Sequence, residues 1–178
     1  GSAIYASKVN LTPSTPIYNE DGTYASGYRE NNGYNPVLEA EVNDYYARTV
    51  RAMGTAKIAY NVWDNLKISS VFTVDYSLTK DFFFQSPEGR DGATYQGRGR
   101  MQMTDRMRYT SQNNLTYSKT FGKHSVSAVA AFEVMKYDYE DLYAVKKTYG
   151  QDINTSLGNA ADPIDADQKL QEDALMSY

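Results

Sequence analysis

The chain of 178 residues has no cysteine, one histidine, one tryptophan and five prolines. Without cysteine there is no disulfide scaffold, no thiol nucleophile and no cysteine-based zinc site. No Ser-His-Asp arrangement assembles around the lone His124, so no catalytic residue is assigned and the chain reads as a non-enzyme. No cofactor-binding or metal-binding residues are assigned either. No apolar run approaches the roughly 18 residues of a membrane helix. With 22 acidic against 18 basic side chains, a net charge of −4, the balance argues against a nucleic-acid partner. What the chain has in quantity is tyrosine, 17 residues, which suits strands and boundaries between apolar and aqueous surroundings.

Two hairpins carry the pattern. Leu115, Tyr117 and Phe121 alternate with Thr116, Ser118 and Thr120; beyond Gly122-Lys123 the apolar positions become Val126, Ala128, Ala130, Phe132 and Val134. Period-two alternation predicts strands with one apolar and one polar face. The swap from odd to even parity predicts a two-residue turn, with Gly122 supplying positive φ. Earlier, Val50, Ala52, Ile58, Tyr60 and Val62 share parity with Leu66, Ile68, Phe72, Val74, Tyr76 and Leu78. Equal parity predicts an odd loop, Trp63-Asp64-Asn65, with Asn65 left-handed.

The expected order is a loop over 1–45, a hairpin over 46–84, a loop over 85–104, a hairpin over 105–143, a loop over 144–173 and a strand starting at 174–178. Pro13, Pro16, Gly22, Gly27, Gly33 and Pro36 punctuate the first loop, where no helical period appears. Asn19-Glu20-Asp21-Gly22 predicts a turn in which Asp21 bonds nearby backbone and Gly22 takes positive φ.

Alternation does not say which face meets water. Connections alternate short and long, and the apolar faces are free of charge from Val50 to Val62, Leu66 to Leu78 and Val126 to Val134, and from Tyr109 to Phe121 but for Lys119 beside the short turn. The other charges that return on these faces, Arg48, Lys80 and Lys136, lie toward the long connections. Arg51, Lys57, Asp75, Arg108 and Glu133 sit on the opposite face, costly in a dry core and ordinary in a wet lumen. The fold class expected is therefore all-β: an antiparallel up-and-down transmembrane β-barrel segment of about four long strands. Ser70, Ser111 and Asn113 interrupt the lipid face. The alternative is a soluble all-β carbohydrate-binding module with its apolar faces inward, which mean hydropathy below zero and the tyrosines would suit.

Pro16-Ile17-Tyr18-Asn19-Glu20-Asp21-Gly22-Thr23-Tyr24 followed by Asn35-Pro36-Val37-Leu38 resembles the SusC/RagA family of TonB-dependent outer-membrane transporters. Asn114-Leu115-Thr116-Tyr117, Phe121-Gly122-Lys123-His124, Phe132-Glu133-Val134 and Ala174-Leu175-Met176-Ser177-Tyr178 extend the likeness over nearly the whole chain. The resemblance implies a large barrel in the outer membrane of a Gram-negative bacterium, of which this chain is an internal piece, with its long loops extracellular. It further implies as partners the rest of the barrel and its plug, a SusD-like lipoprotein, the TonB complex acting through the plug region, outer-membrane lipid, and a glycan or peptide substrate.

Three other motifs have plainer readings. Asp162-Pro163-Ile164-Asp165-Ala166-Asp167 lacks the central Gly and terminal Glu of a calcium loop and reads as a solvated acidic loop. Gly97-Arg98-Gly99-Arg100 beside Tyr95 hints at single-stranded RNA, but one copy in an acidic chain reads better as an outer loop. His124 reads as an interfacial ring beside its turn. For substrate or cap contact the candidates are Tyr24, Tyr28, Tyr34, Tyr95, Arg98 and Arg100, since rings and polar side chains bind sugars; packing between loops is the competing role for each.

Overall fold

The computed structural model describes residues 15–25, 35–150 and 154–178. Five strands, β1 (Asp44–Trp63), β2 (Leu66–Gln85), β3 (Arg98–Phe121), β4 (His124–Lys147) and β5 (Asp165–Ser177), form one sheet. It is an antiparallel meander in which each strand pairs with the next in sequence. Among the described residues, two short helices, α1 (Pro36–Val42) and α2 (Arg90–Ala93), and one 3-10 turn (Leu157–Asn159) decorate the connections. Packing divides the chain into a connection unit (residues 1–47, 81–102 and 143–167) and a strand unit (48–80, 103–142 and 168–178).

The second hairpin keeps one register along its length. Thr120 faces Ser125, Gln112 bonds Glu133, Arg108 lies over Tyr137, Arg106 over Tyr139, and Thr104 bonds Asp141. Every pair is what a two-residue Gly122-Lys123 turn dictates, and Gly122 has φ +59. Positive φ at the first turn position alone marks the II′ class, whose twist matches the strands. In the first hairpin, Thr49 meets Thr79 and Thr55 meets Thr73, so Val62 falls opposite Leu66, as equal parity requires. The turn itself differs from expectation. Trp63 stays in β1, and Asn65 is not left-handed: Gln96 and Thr148 are the only described non-glycine residues with positive φ. The Asn65 carbonyl instead accepts from the Ser118 N–H at 2.9 Å, which holds it against β3.

The strands outrun the alternating pattern. β3 begins at Arg98 rather than 105, taking Gly99 and Arg100 out of the expected loop; β4 continues to Lys147. β5 begins at Asp165, nine residues before the expected start at Ala174. The physical reason lies in the pairs Lys136–Glu172 (2.9 Å) and Gln168–Glu140 (2.6 Å). That register sets Val134 opposite Ala174, where the apolar face begins. Beyond it Lys136, Asp138, Glu140, Gln168 and Glu172 take up positions that continue the apolar face, so the period-two signal fades while the ladder continues.

α1 lies within the stretch expected to be irregular. Asn35 caps it, its Oδ1 accepting from the N–H groups of Val37 (3.1 Å) and Leu38 (3.3 Å), and Pro36 occupies the first turn, where a missing N–H costs nothing.

The connection unit holds the buried cluster, Phe82, Phe84, Tyr149 and Ala160. In the strand unit Thr104 is the only buried residue among those described. Val50, Ile58, Tyr60, Phe72, Leu115, Val126 and Phe132 all lie exposed on one face. A continuous apolar face of this size is what lipid covers in a barrel wall. Among the described residues of the strand unit, no buried layer covers that face.

Candidate functional site

The two halves of the loop motif meet at Asn35. Residues 17–25 form a tight hairpin: Tyr18 bridges Tyr24, Asn19 N–H donates to Thr23 O at 2.8 Å, and Gly22 takes φ +83. Asp21 Oδ1 accepts from the Thr23 N–H (2.9 Å) and hydroxyl (2.6 Å), as its turn chemistry predicts. Those bonds hold its carboxyl below the usual carboxylate range. Asn35, buried, donates from Nδ2 to the carbonyls of Ile17 (2.8 Å) and Ala25 (2.9 Å) while its Oδ1 caps α1. One amide thus ties hairpin to helix.

α1 in turn anchors the next connection. Glu39, buried, accepts from the Arg90 N–H at 2.6 Å at the start of α2, and Asn43 Oδ1 accepts from the Ser86 N–H at 2.8 Å. Tyr95 lies between two cations, Arg98 at 5.5 Å and Lys147 at 5.0 Å. The Thr148 N–H reaches the carbonyls of Tyr95 and Gly97. Tyr149 packs edge-on against Phe84 at 4.9 Å, and burial pushes its phenol up.

Of the loop candidates, Tyr24 stacks obliquely on Tyr18 at 5.0 Å, and Tyr95 and Arg98 hold each other. Tyr28 and Tyr34 lie outside the described residues. Arg100 lines an open cleft of about 280 Å³ with Tyr45, Asp81, Phe83 and Gln102, donating to Gln102 Oε1. An exposed ring (Tyr45), a half-buried one (Phe83), a carboxylate, a guanidinium and an amide in one cleft can stack on and hydrogen-bond a polar solute. Of these only Arg100 is a candidate from the sequence; Tyr45 and Gln102 fall in the expected loops 1–45 and 85–104, and Asp81 and Phe83 at the end of the expected hairpin 46–84.

In the strand unit the polar-face candidates separate into pairs. Arg51 and Asp75 form a bidentate pair, Nε to Oδ1 at 2.9 Å and Nη2 to Oδ2 at 2.7 Å. Gln112 Nε2 donates to Glu133 at 2.8 Å, and Arg108 lies 5.5 Å from the Tyr137 ring centroid. Lys57 is exposed. Arg106, two residues before Arg108 on the same face, went unread because the strand was taken to start beside it. Asp165 and Asp167 belong to β5, not to an acidic loop, and among the described residues no three acidic or histidine side chains converge on a metal position. His124 opens β4 beside its turn, exposed.

An open antiparallel sheet with a hydrogen-bonded polar face and a bare apolar face is a segment of a transmembrane β-barrel wall. No protein-family profile matches the chain. It is 28% identical over 151 residues to TonB-dependent receptor P3 of Formosa agariphila, covering 84% of this chain and 15% of that protein. To TonB-dependent receptor P26 of the same organism it is 25% identical over 143 residues, covering 76% and 14%. Among solved structures, the RagAB peptide importer in its closed-closed state matches with a TM-score of 0.75 at 16% identity, over 90% of this chain and 19% of that one. A second RagAB peptide transporter structure matches equally, at 15% identity. The chain therefore spans about a seventh of the curated relatives. Its likeness is to a segment of TonB-dependent receptors, in keeping with the SusC/RagA resemblance of the motifs at 16–24 and 35–38.

Proposed function

We propose that this segment forms part of the wall of a TonB-dependent outer-membrane importer, working with a SusD-like surface lipoprotein on glycans or peptides. The observation that carries the reading is the pairing of faces in the strand unit: an exposed apolar face against a face of paired charges, threonine pairs and guanidinium–ring contacts. A wall between lipid and a wet lumen needs that division. On this reading residues 1–178 belong to one barrel domain, and the connections at 1–43, 86–97 and 148–164 face the outside. Arg51, Lys57, Asp75, Arg108 and Glu133 face the lumen, and Tyr24, Tyr28, Tyr34, Tyr95, Arg98 and Arg100 belong to the surface that meets substrate or cap.

RagAB being a peptide importer favours peptide, and the ring-lined Arg100 cleft suits a sugar equally well. Deleting the parent gene and measuring growth on defined glycans and on peptides as sole carbon source tests the function. Loss on one class with growth on the other intact identifies the cargo. Unchanged growth and uptake on every class rejects the importer.

A further inference from the structure

The polar face of the strand unit concentrates positive charge in a chain whose net charge is −4. An open cleft of about 440 Å³ there is lined by Arg51, Arg106, Arg108, Asp75, Ser77 and Tyr137 among others. Three guanidinium groups face one carboxylate. Asp75 is taken up by Arg51 in a two-bond fork; Arg108 feels that carboxylate at longer range, and among the described residues neither Arg106 nor Arg108 makes an ion pair of its own. Each lies instead over a tyrosine ring, Arg106 over Tyr139 at 5.6 Å and Arg108 over Tyr137 at 5.5 Å.

A guanidinium laid over a ring has its face covered and its planar fork of N–H donors left open at the edge. The ring also fixes the side chain, so little rotamer freedom remains to be lost when an oxyanion arrives. Ser77 and the Tyr137 hydroxyl add neutral donors within the same cleft. Arg51–Asp75 shows the geometry that such forks adopt with a carboxylate, two parallel bonds of 2.9 and 2.7 Å.

We infer that Arg106 and Arg108, backed by Arg51, form a subsite for carboxylate groups of an anionic solute. The inference rests on the importer reading and narrows its cargo: an acidic peptide or a uronic-acid oligosaccharide shares the required chemistry. Clustered cations on the wall would also raise the local concentration of such solutes and make their capture sensitive to salt.

The test uses the full-length receptor purified in detergent, with calorimetric titration of four probes. These are hexaglutamate and hexaglutamine peptides, and oligogalacturonate and its methyl-esterified, uncharged form. At least one carboxylated probe should bind about tenfold or more tighter than its neutral counterpart, since hydrogen bonds to charged groups carry that much. Arg106→Gln/Arg108→Gln should abolish the preference and leave the neutral probe unchanged; which charged probe responds identifies the source of the carboxylate. Equal binding of charged and neutral probes by the unaltered receptor overturns the proposal. So does a double variant that melts at lower temperature with its anion preference intact, because the arginines would then be pairing with the receptor's own carboxylates. The importer reading fails separately, if anion preference is as expected but deleting the gene leaves uptake unchanged.

Discussion

Ser70 Oγ donates to Asn113 Oδ1 at 2.6 Å across β2 and β3, on the face otherwise reserved for apolar side chains. Asn113 Nδ2 then donates to Ser111 Oγ at 3.2 Å. The three polar residues that interrupt the lipid face therefore satisfy one another, which is how hydrocarbon tolerates such groups. Separately Ser70→Ala and Asn113→Ala should each lower stability, and together by less than the sum. Hydrogen bonds inside membranes couple by about 0.6 kcal/mol on average and by at most about 1.7 kcal/mol. Heat-modifiable migration of the full-length receptor on gels gives the order of melting for the cycle, and strict additivity would show that the three residues do not act together.

Gly99 and Gly92 permit close approach in the connection unit. A Cβ at Gly99 would strike the Tyr149 hydroxyl, and one at Gly92 the Ser86 carbonyl. Gly99→Ala should displace Tyr149 from Phe84 at a cost of about 1–3 kcal/mol, typical of overpacking. Gly54→Ala, where nothing lies within 4 Å, is the matched control. Limited proteolysis should cut the 85–97 connection faster in Gly92→Ala and Gly99→Ala, and no faster in Gly54→Ala.

Asn35 has separable duties. Asn35→Asp keeps the acceptor that caps α1 but removes the donor that holds Ile17 and Ala25. Asn35→Ala removes both, adding the roughly 0.5–2 kcal/mol of a lost cap. Hydrogen exchange should show residues 17–25 deprotected in both variants and α1 deprotected only in Asn35→Ala.

The same hairpin should respond to acid. The hydrogen bonds from Thr23 lower the Asp21 carboxyl, so the charged form is bound more favourably in the folded loop. A lowered value means that the stabilisation is complete above the ordinary carboxylate range and lost as pH falls through the folded-state value. Exchange at the Thr23 amide should be protected near neutrality and quicken, relative to a reference amide such as Val37, only below about pH 4. Asp21→Asn should remove that dependence.

Much of the wall was legible because one physical constraint writes directly into sequence. Where one face meets lipid and the other water, side chains must alternate, and Val126, Ala128, Ala130, Phe132 and Val134 record it. Where that constraint ends the record ends too: Glu140, Asp141 and Gln168 are paired strand residues with nothing apolar to betray them. α1 escaped notice because seven residues are too few to show a period, although Asn35-Pro36 is a cap followed by a first-turn proline. The cleft around Arg100 and the guanidinium–ring stacks depend on which strands are neighbours, and a single sequence does not state that.

The central claim, that the apolar face meets lipid and the polar face water, is open to direct measurement because this segment carries no cysteine of its own. Single cysteines at Thr55, Ala56, Lys57 and Ile58, and again at Thr73 and Val74, would be introduced into a cysteine-free full-length receptor, spin-labelled and reconstituted in bilayers. Collision rates with oxygen and with a water-soluble nickel chelate would then be compared. Labels at Ala56, Ile58 and Val74 should favour oxygen and those at Thr55, Lys57 and Thr73 the chelate, alternating residue by residue. Reversed preferences, or nickel access equal on both faces, would contradict the account.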